Sequence, residues 1–109
     1  MNALGVTRAA DLSRMRNGDF VRVAGAVIVR QRPGTAKGFV FLSLEDETGV
    51  ANAIVTPDMF DQYRFALLQE PFLLVEGMLQ NVDRVISVKA ARIEALAAKS
   101  AAAASHDFH

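Results

Sequence analysis

The feature that most constrains this chain is an alternating apolar stretch, Phe20 to Val29, with a glycine at its centre. Four valines share one side of that stretch if it is extended: Val21, Val23, Val27 and Val29. Alternation with a period of two is the signature of a β-strand. Gly25 sits in the middle, where a glycine marks a bulge or a sharp bend. The stretch therefore predicts a bent strand of the kind that curls around a small barrel.

Four further segments predict strands: residues 38–45, 50–55, 72–79 and 84 to about 90. Gly77 marks a second bend, in the fourth strand. Between the third and fourth strands, Thr56 is a helix-capping residue, and Pro57 suits the first helical position. Four apolar side chains then follow at helical spacing, which predicts that they belong to the core: Met59, Phe60, Tyr63 and Leu67.

The two ends of the chain predict helical structure. Thr7 to Arg16 is typical of a short helix capped by Thr7, and Asn17-Gly18 suits its end. From Lys89 onward the chain is rich in alanine, which has a high helix propensity. We expect the last part, residues 97–109, to be a partly helical or disordered tail.

The order of these elements is strand, strand, strand, helix, strand, strand. Together with the two glycine bends, this order predicts an all-β protein, a five-stranded OB-fold barrel with a helix between strands three and four. A short N-terminal helix precedes the barrel, and the alanine-rich tail follows it. An SH3-like barrel is the rival, but it does not usually carry such a helix there. We expect a helical lead-in at 1–18, the OB-fold domain at 19–96 and the tail at 97–109.

Composition excludes cysteine-dependent sites and membrane insertion. The 109 residues include no cysteine, which excludes disulfides, thiolate catalysis and zinc–thiolate sites. No apolar run approaches the roughly 20 residues of a membrane helix, and the N-terminus has no signal pattern. A cytoplasmic protein without membrane contact is therefore expected.

Charge is unevenly distributed, although the net charge is zero. Residues 1–44 carry seven basic and two acidic side chains, whereas residues 45–109 carry five basic and ten acidic ones. Such asymmetry can mark a nucleic-acid-binding face, and an ordinary mixed-charge surface is the alternative.

No set of residues indicates catalysis. The histidines, His106 and His109, both lie in the tail. The adjacent acids Glu45, Asp46 and Glu47 suggest magnesium at first, but strand side chains alternate between faces and these acids lie at a hairpin turn. A solvated turn is the favoured interpretation. We expect no catalytic residues, no metal, no cofactor and no enzyme activity of the chain on its own.

The second strand carries the strongest indication of binding. Its aliphatic residues Val40, Leu42 and Leu44 predict the barrel interior, which places Phe39 and Phe41 on the outer face. Asn52 of the third strand is expected on the same face as Phe41. An aromatic ring beside an amide gives a nucleobase a stacking surface and a hydrogen-bond partner. Each of these residues has an alternative role without a ligand. Phe39 could pack over the barrel end or under the N-terminal helix, Phe41 could pack against the barrel, and Asn52 could be a plain surface residue.

Two loops complete this candidate nucleic-acid-binding site. OB-folds bind oligonucleotides around strands two and three, flanked by the loops between strands one and two and strands four and five. Cations in those loops would follow the phosphates, and solubilising surface charges are the alternative. The candidates are Arg30, Arg32 and Lys37 in the first loop, with Asn81 and Arg84 in the second.

The stretch from VRVAGAVIV through RPGTAKG and LEDETG to DQYR closely resembles a known family. It resembles the OB-fold domain near the C-terminus of bacterial C-family polymerase alpha subunits. The RQRPGTAKG loop and the final DFH resemble the error-prone branch, which acts in damage-induced mutagenesis and translesion synthesis. FLSLED alone would fit many OB-folds, including the anticodon-binding domains of class II tRNA synthetases. There, the aromatic and amide corresponding to Phe41 and Asn52 contact bases.

This resemblance implies binding of single-stranded template DNA. It does not imply nucleotidyl transfer, because the family's catalytic palm with its metal-binding aspartates is not in this sequence. The implied partners are single-stranded DNA, the rest of a polymerase, a sliding clamp or accessory mutagenesis proteins. Two alternatives stay open: a protein-interaction module that docks through an exposed Phe39 or the terminal Asp107-Phe108-His109, and a generic tRNA- or RNA-binding OB-fold. The oligomeric state is undetermined.

Overall fold

Five strands close into a barrel in the computed structural model, which describes residues 6–31, 38–83 and 85–96. The strands are β1 (Phe20–Gln31), β2 (Val40–Asp46), β3 (Gly49–Val55), β4 (Phe72–Val82) and β5 (Val85–Ala95). Their order around the barrel is β1-β2-β3-β5-β4, closed by pairing of β1 with β4. Only β3 and β5 pair in parallel; the other neighbours are antiparallel. With helix α1 (Pro57–Gln69) between β3 and β4, the predicted OB-fold is confirmed.

The two predicted glycine bends lie where neighbouring strands leave no room for a side chain. β1 pairs with β4 over residues 20–26 and with β2 over residues 26–31. A Cβ atom on Gly25 would collide with the backbone carbonyl of Glu45 in β2. Gly77 of β4 approaches a β5 carbonyl in the same way, beside a register shift. Both positions accept only glycine, and each lets a strand bend around the barrel.

Inward-facing side chains form one core. Three β2 residues pair with three β3 residues of the same face: Val40 with Val55, Leu42 with Ala53, and Leu44 with Ala51. All six are buried. This arrangement follows the alternation of the two strands, because cross-strand partners point to the same side of a sheet.

Helix α1 packs against this core with the face that its sequence predicts. Phe60 and Leu67 are buried, and Met59 and Tyr63 pack beside them. The Thr56 hydroxyl accepts a hydrogen bond from the Met59 backbone N–H at 3.4 Å, so the predicted cap is confirmed. Within the described ranges, no helix has the length and apolar character needed to cross a membrane.

Strand β5 extends further than the sequence predicts. The alanine-rich composition from Lys89 onward predicts helix, yet β5 continues to Ala95. Ile93 pairs with Val75 of β4 and is buried in the core. Pairing and burial outweigh the helix preference of alanine, which is only a weak determinant when tertiary contacts compete. The predicted tail, residues 97–109, lies outside the described residues.

The N-terminal helix is shorter than expected and is a 3₁₀ helix, Ala9–Arg14. Thr7 does not cap it; instead, the Thr7 N–H donates to the Arg22 carbonyl of β1 at 2.7 Å. Leu12 anchors the helix in the barrel core. The helix ends at Arg14, before the predicted stop at Asn17-Gly18; those two residues form a separate turn, in which Gly18 has a φ of 94°.

The acidic turn between β2 and β3 supplies the missing cap. Asp46 Oδ2 accepts from the Ala9 N–H at 2.8 Å, and Thr48 Oγ1 accepts from the Ala10 N–H at 3.0 Å. Asp46 Oδ1 also accepts from the N–H groups of Thr48 and Gly49 at 2.7 and 3.0 Å. In the part of the chain that the structure describes, no cluster of three His, Cys, Asp or Glu side chains could hold a metal. Asp46 therefore attaches the N-terminal 3₁₀ helix to this turn. The sequence predicted only a solvated turn, which would not make such a contact.

Candidate nucleic-acid interface

Phe41 and Asn52 share the outer face of β2 and β3. The outward cross-strand pairs are Phe41 with Ile54 and Ser43 with Asn52. Phe41 and Asn52 are therefore diagonal neighbours, close enough for one ligand group to contact both. Phe41 keeps 37% of its surface exposed, and Asn52 is exposed. The aromatic–amide pair that the sequence predicts is present on the surface.

A hydrogen bond links the amide of this pair to Ser43. Ser43 Oγ donates to Asn52 Oδ1 at 3.0 Å, directly across the two strands. The Nδ2 group of Asn52 has no hydrogen-bond partner among the residues that the structure describes. The amide therefore keeps hydrogen-bonding capacity for a ligand, next to an exposed aromatic ring.

β1 borders this face with two residues that the sequence did not single out. Gln31 pairs with Phe41, and Val29 pairs with Ser43. Both pairs follow a register shift in β1 that lies between Val27 and Val29. Both side chains are exposed. Because the register shift changes which β1 residues point outward, simple alternation along β1 could not identify them.

Lys89 extends the face onto β5 and β4. It pairs with Ile54 of β3 and with Met78 of β4, so the outward row runs continuously from Phe41 to Met78. Lys89 and Met78 are exposed. Lys89 lies in the predicted fifth strand, but the sequence did not single it out as a site residue. The alternation of inward Val88 with outward Lys89 was the available signal.

The charge of Lys89 is not neutralised by an ion pair within the described ranges, unlike several arginines. Arg22 Nε lies 2.8 Å from Glu76 Oε1, and Arg64 Nη2 lies 3.2 Å from Asp61 Oδ1. A cation without a nearby carboxylate is better placed to attract phosphate. Lys89 is therefore the most suitable described cation beside the Phe41–Asn52 pair.

A groove opens beside Lys89. It has a volume of about 550 Å³ and lies between the β4–β5 hairpin and the turn at Asn17 and Gly18. Its apolar walls include Met78, Val82 and Val85, which are at least 53% exposed. Ile54 lines both this groove and the Phe41 row, so the two surfaces are continuous.

The structure places Arg30 away from this face. Arg30 pairs with Leu42, whose side chain is buried, so Arg30 and Phe41 point to opposite sides of the sheet. Its guanidinium donates to the backbone carbonyls of Leu67 and Glu70 at the C-terminal end of α1. A cation is favoured at that negative end of the helix dipole. In this position Arg30 caps a helix instead of standing at the rim of the Phe41 face.

Asn81 also makes internal contacts. Its Nδ2 group donates to the Met15 carbonyl at 3.3 Å, and its backbone N–H donates to Asn17 Oδ1 at 2.9 Å. These bonds tie β4 to the segment that follows the N-terminal 3₁₀ helix. The Asn81 side chain therefore stabilises the fold at the edge of the groove.

The other predicted site residues fall into two groups. Phe39 comes just before β2 and is half-buried, which does not match the exposed Phe39 of the protein-interaction alternative. Three predicted cations lie outside the described residues: Arg32, Lys37 and Arg84.

The barrel and its outer face define a class of protein. Residues 21–96 match the family model described as an OB-fold nucleic acid binding domain, and the chain belongs to that family. Among solved structures, the barrel is similar to asparaginyl-tRNA synthetase from Pyrococcus horikoshii, with a TM-score of 0.62 and 23% identity over 80% of this chain and 21% of that one. It is also similar to the OBody AM1L10 bound to hen egg-white lysozyme, with a TM-score of 0.67 and 18% identity over 84% of this chain and 93% of that one. These two similarities concern the fold.

Curated relatives are closer in sequence. The error-prone DNA polymerase of Caulobacter vibrioides is 52% identical over 97 residues, 89% of this chain and 9% of the relative. That of Anaeromyxobacter dehalogenans is 45% identical over 105 residues, 95% of this chain and 9% of the relative. That of Mycolicibacterium paratuberculosis is 47% identical over 93 residues, 85% of this chain and 8% of the relative. The chain thus spans about 9% of the length of such relatives. The resemblance to error-prone polymerases is confirmed as one of an OB-fold domain within them.

Proposed function

We propose that this chain is the single-stranded-DNA-binding OB module of an error-prone DNA polymerase, and that it holds template strand during damage-induced translesion synthesis. The observation that carries the proposal is the outer face on which Phe41 and Asn52 adjoin Lys89. The 42–52% identity to error-prone DNA polymerases supports DNA as the ligand. Because the matched segment is only an OB-fold domain, its role is binding, and it is not itself catalytic.

Each group on the face has a distinct role in this proposal. A base stacks on Phe41, which is worth about 1–3 kcal/mol for a base on an aromatic side chain. Asn52 forms a hydrogen bond with the edge of that base. Lys89 contacts the adjoining phosphate, and a neighbouring base enters the groove between Met78 and Val85.

The flanking loops complete the proposed phosphate contacts. Arg32 and Lys37 follow β1, and Arg84 lies between β4 and β5, the two loop positions that flank the binding face of an OB-fold. With so few cations, we expect modest affinity for the isolated module and a clear dependence on salt.

A fluorescence-anisotropy titration tests this function. A labelled thymidine oligomer should bind saturably, and its affinity should fall linearly with salt on a logarithmic scale. A uridine ribo-oligomer of equal length serves as the comparison, because a generic RNA-binding OB-fold would bind it as well or better. Absence of saturable, salt-sensitive binding to the DNA would rule the proposal out.

A second candidate function is protein docking, and exposed apolar residues on α1 favour it. Phe65 is 75% exposed and Leu68 is 51% exposed. They are three residues apart and therefore adjacent on the helix surface. A sliding clamp or an accessory mutagenesis protein would be the partner, bound through this patch or through the terminal Asp107-Phe108-His109.

Two variants separate docking from DNA binding. The double substitution Phe65→Ser and Leu68→Ser disrupts the helix patch, and deletion of residues 97–109 removes the tail. Docking predicts that at least one of them loses binding to the purified clamp in surface-plasmon resonance, while both retain DNA binding. Lack of clamp binding by the unaltered chain would dismiss the clamp as a partner.

A further inference from the structure

An exposed apolar pair lies on the outer face of β1 and β4, beyond the groove. Phe20 at the start of β1 pairs across the strands with Met78 of β4, and more than half of each residue's surface is exposed. Cross-strand partners point to the same side of a sheet and lie about 5 Å apart. The aromatic ring and the thioether therefore form one continuous apolar platform, the Phe20–Met78 pair.

This pair ends a belt of outward side chains that crosses all five strands. From Phe41 on β2, successive cross-strand partners lead through Ile54, Lys89 and Met78 to Phe20. Each step between neighbouring strands is about 4.8 Å, so the arc from Phe41 to Phe20 is about 19 Å long. OB-folds bind about 4–16 nucleotides of single strand. A strand toward the upper end of that range extends well beyond Phe41.

Two arginines flank the Phe20–Met78 pair on the same outer face. Arg22 of β1 and Arg92 of β5 are the two cross-strand partners of Glu76, which lies two residues before Met78 on β4. Arg22 Nε donates to the buried Glu76 Oε1 at 2.8 Å. The terminal nitrogens of the Arg22 guanidinium have no hydrogen-bond partner among the residues that the structure describes. They are therefore available to a ligand.

The charges around the pair favour phosphate. Arg92 is exposed and, like Lys89, makes no ion pair within the described ranges. Its row is about 7 Å from the Phe20–Met78 row, counted along the strands, whereas that of the exposed acid Glu94 is about 14 Å away. Asp19 precedes Phe20, and its carboxylate accepts from the Arg16 N–H. An apolar platform bordered by cations suits a base and its adjoining phosphate.

We propose that a single DNA strand bound at Phe41 continues along the belt onto the outer face of β1, β4 and β5. There, a base packs on the Phe20–Met78 pair, and the adjoining phosphate contacts Arg22 and Arg92. This inference rests on the proposed function, because it extends the path of the same strand. It adds a second contact region, which a short oligomer bound at Phe41 does not reach.

Oligomer length separates the two contact regions. A thymidine tetramer covers the surroundings of Phe41, whereas a thymidine dodecamer also reaches the Phe20–Met78 pair. Phe20→Ala should weaken binding of the dodecamer by about tenfold and leave that of the tetramer unchanged. Arg92→Ala should reduce the logarithmic salt slope of the dodecamer by about 0.7, with no change for the tetramer. Fluorescence-anisotropy titrations of both oligomers measure these effects.

Two control variants accompany these titrations. Phe65→Ala removes an exposed ring from α1 and should alter binding of neither oligomer, whereas Phe41→Ala should weaken binding of both. Arg22 is left unaltered, because its removal would leave the buried Glu76 carboxylate without its partner. Melting temperatures identify any variant whose fold is affected.

The outcomes distinguish this inference from the proposed function. Unchanged dodecamer binding by Phe20→Ala would overturn the inference alone. An equal loss for both oligomers in a variant of normal melting temperature would also overturn it, because Phe20 and Phe41 would then belong to one contact region. Binding of neither oligomer by the unaltered protein would refute the proposed function as well.

Discussion

At the scale of single residues, surroundings decide what a charged side chain does. Arg30 and Lys89 are both cations on strands, yet only Lys89 lies in the Phe41 row. Arg30 points to the opposite side and bonds the carbonyls of Leu67 and Glu70. Its charge is used to close the C-terminal end of α1, where unpaired carbonyls otherwise face solvent.

Arg30→Ala should therefore affect stability and leave DNA binding nearly unchanged. We expect a loss of about 1 kcal/mol in the free energy of unfolding, because two hydrogen bonds from a charged donor disappear. Urea denaturation measures it, with Arg14→Ala as the control because the Arg14 side chain is 82% exposed. A weakened affinity for a thymidine oligomer with unchanged stability would instead support the phosphate contact that the sequence suggests.

The sequence predicted some of these residue positions and not others. Phe41 and Asn52 lie in regular strands, where alternation assigns each side chain to a face. Arg30 follows a register shift in β1, and a shift of one residue exchanges the two faces. The position of such a shift depends on contacts between strands, which local pattern does not contain. Lys89 lies in a segment that was predicted to be a strand, but its place beside Ile54 depends on the parallel pairing of β3 with β5, which local pattern does not contain either.

At the scale of elements, the β2–β3 turn and the N-terminal 3₁₀ helix stabilise each other. Asp46 accepts hydrogen bonds both from the helix and from its own turn. A carboxylate is favoured at a helix N-terminus, where unpaired N–H groups need acceptors. The same contact explains why acids occur at a turn that holds no cluster suited to metal within the described ranges.

Asp46→Ala should lower the free energy of unfolding by about 1–3 kcal/mol, because three half-buried N–H groups lose their acceptor. Thermal denaturation followed by circular dichroism measures this, with Glu45→Ala, an exposed strand acid, as the control. Addition of magnesium should leave the melting temperature unchanged. A magnesium-dependent rise that Asp46→Ala abolishes would establish a metal site.

The bend in β1 can be tested in the same assay. Gly25→Ala should destabilise the barrel by more than about 2 kcal/mol, because the added methyl group meets the Glu45 backbone. Ala91→Gly, at an exposed position of β5, should cost only about 0.5–1 kcal/mol. Similar losses for the two variants would show that β1 does not approach β2 this closely.

At the scale of the whole molecule, strand order and closure create the binding surface. β3 and β5 are neighbours only because the barrel closes in the order β1-β2-β3-β5-β4. This brings Lys89 beside Ile54 and joins the groove to the Phe41–Asn52 pair. The order of elements and the glycine bends were sufficient to predict the barrel from sequence. The full extent of the surface was not predictable, because it depends on which distant strands become neighbours.

Lys89→Ala should weaken binding of a thymidine oligomer and make the salt dependence shallower. Loss of one phosphate contact reduces the logarithmic salt slope by about 0.7 for single strands. Arg64→Ala is the matched control, because Arg64 lies on α1 and pairs with Asp61. An unchanged slope for Lys89→Ala would place the phosphate path elsewhere on the barrel.

The central claim is that a base stacks on Phe41, and one pair of titrations tests it most directly. Phe41→Ala and Phe65→Ala each remove one exposed aromatic ring, the first from the proposed interface and the second from α1. Phe41→Ala should weaken binding of a labelled thymidine oligomer by about 1–3 kcal/mol, and Phe65→Ala should leave it unchanged. Equal affinities for both variants and the unaltered protein would contradict the claim.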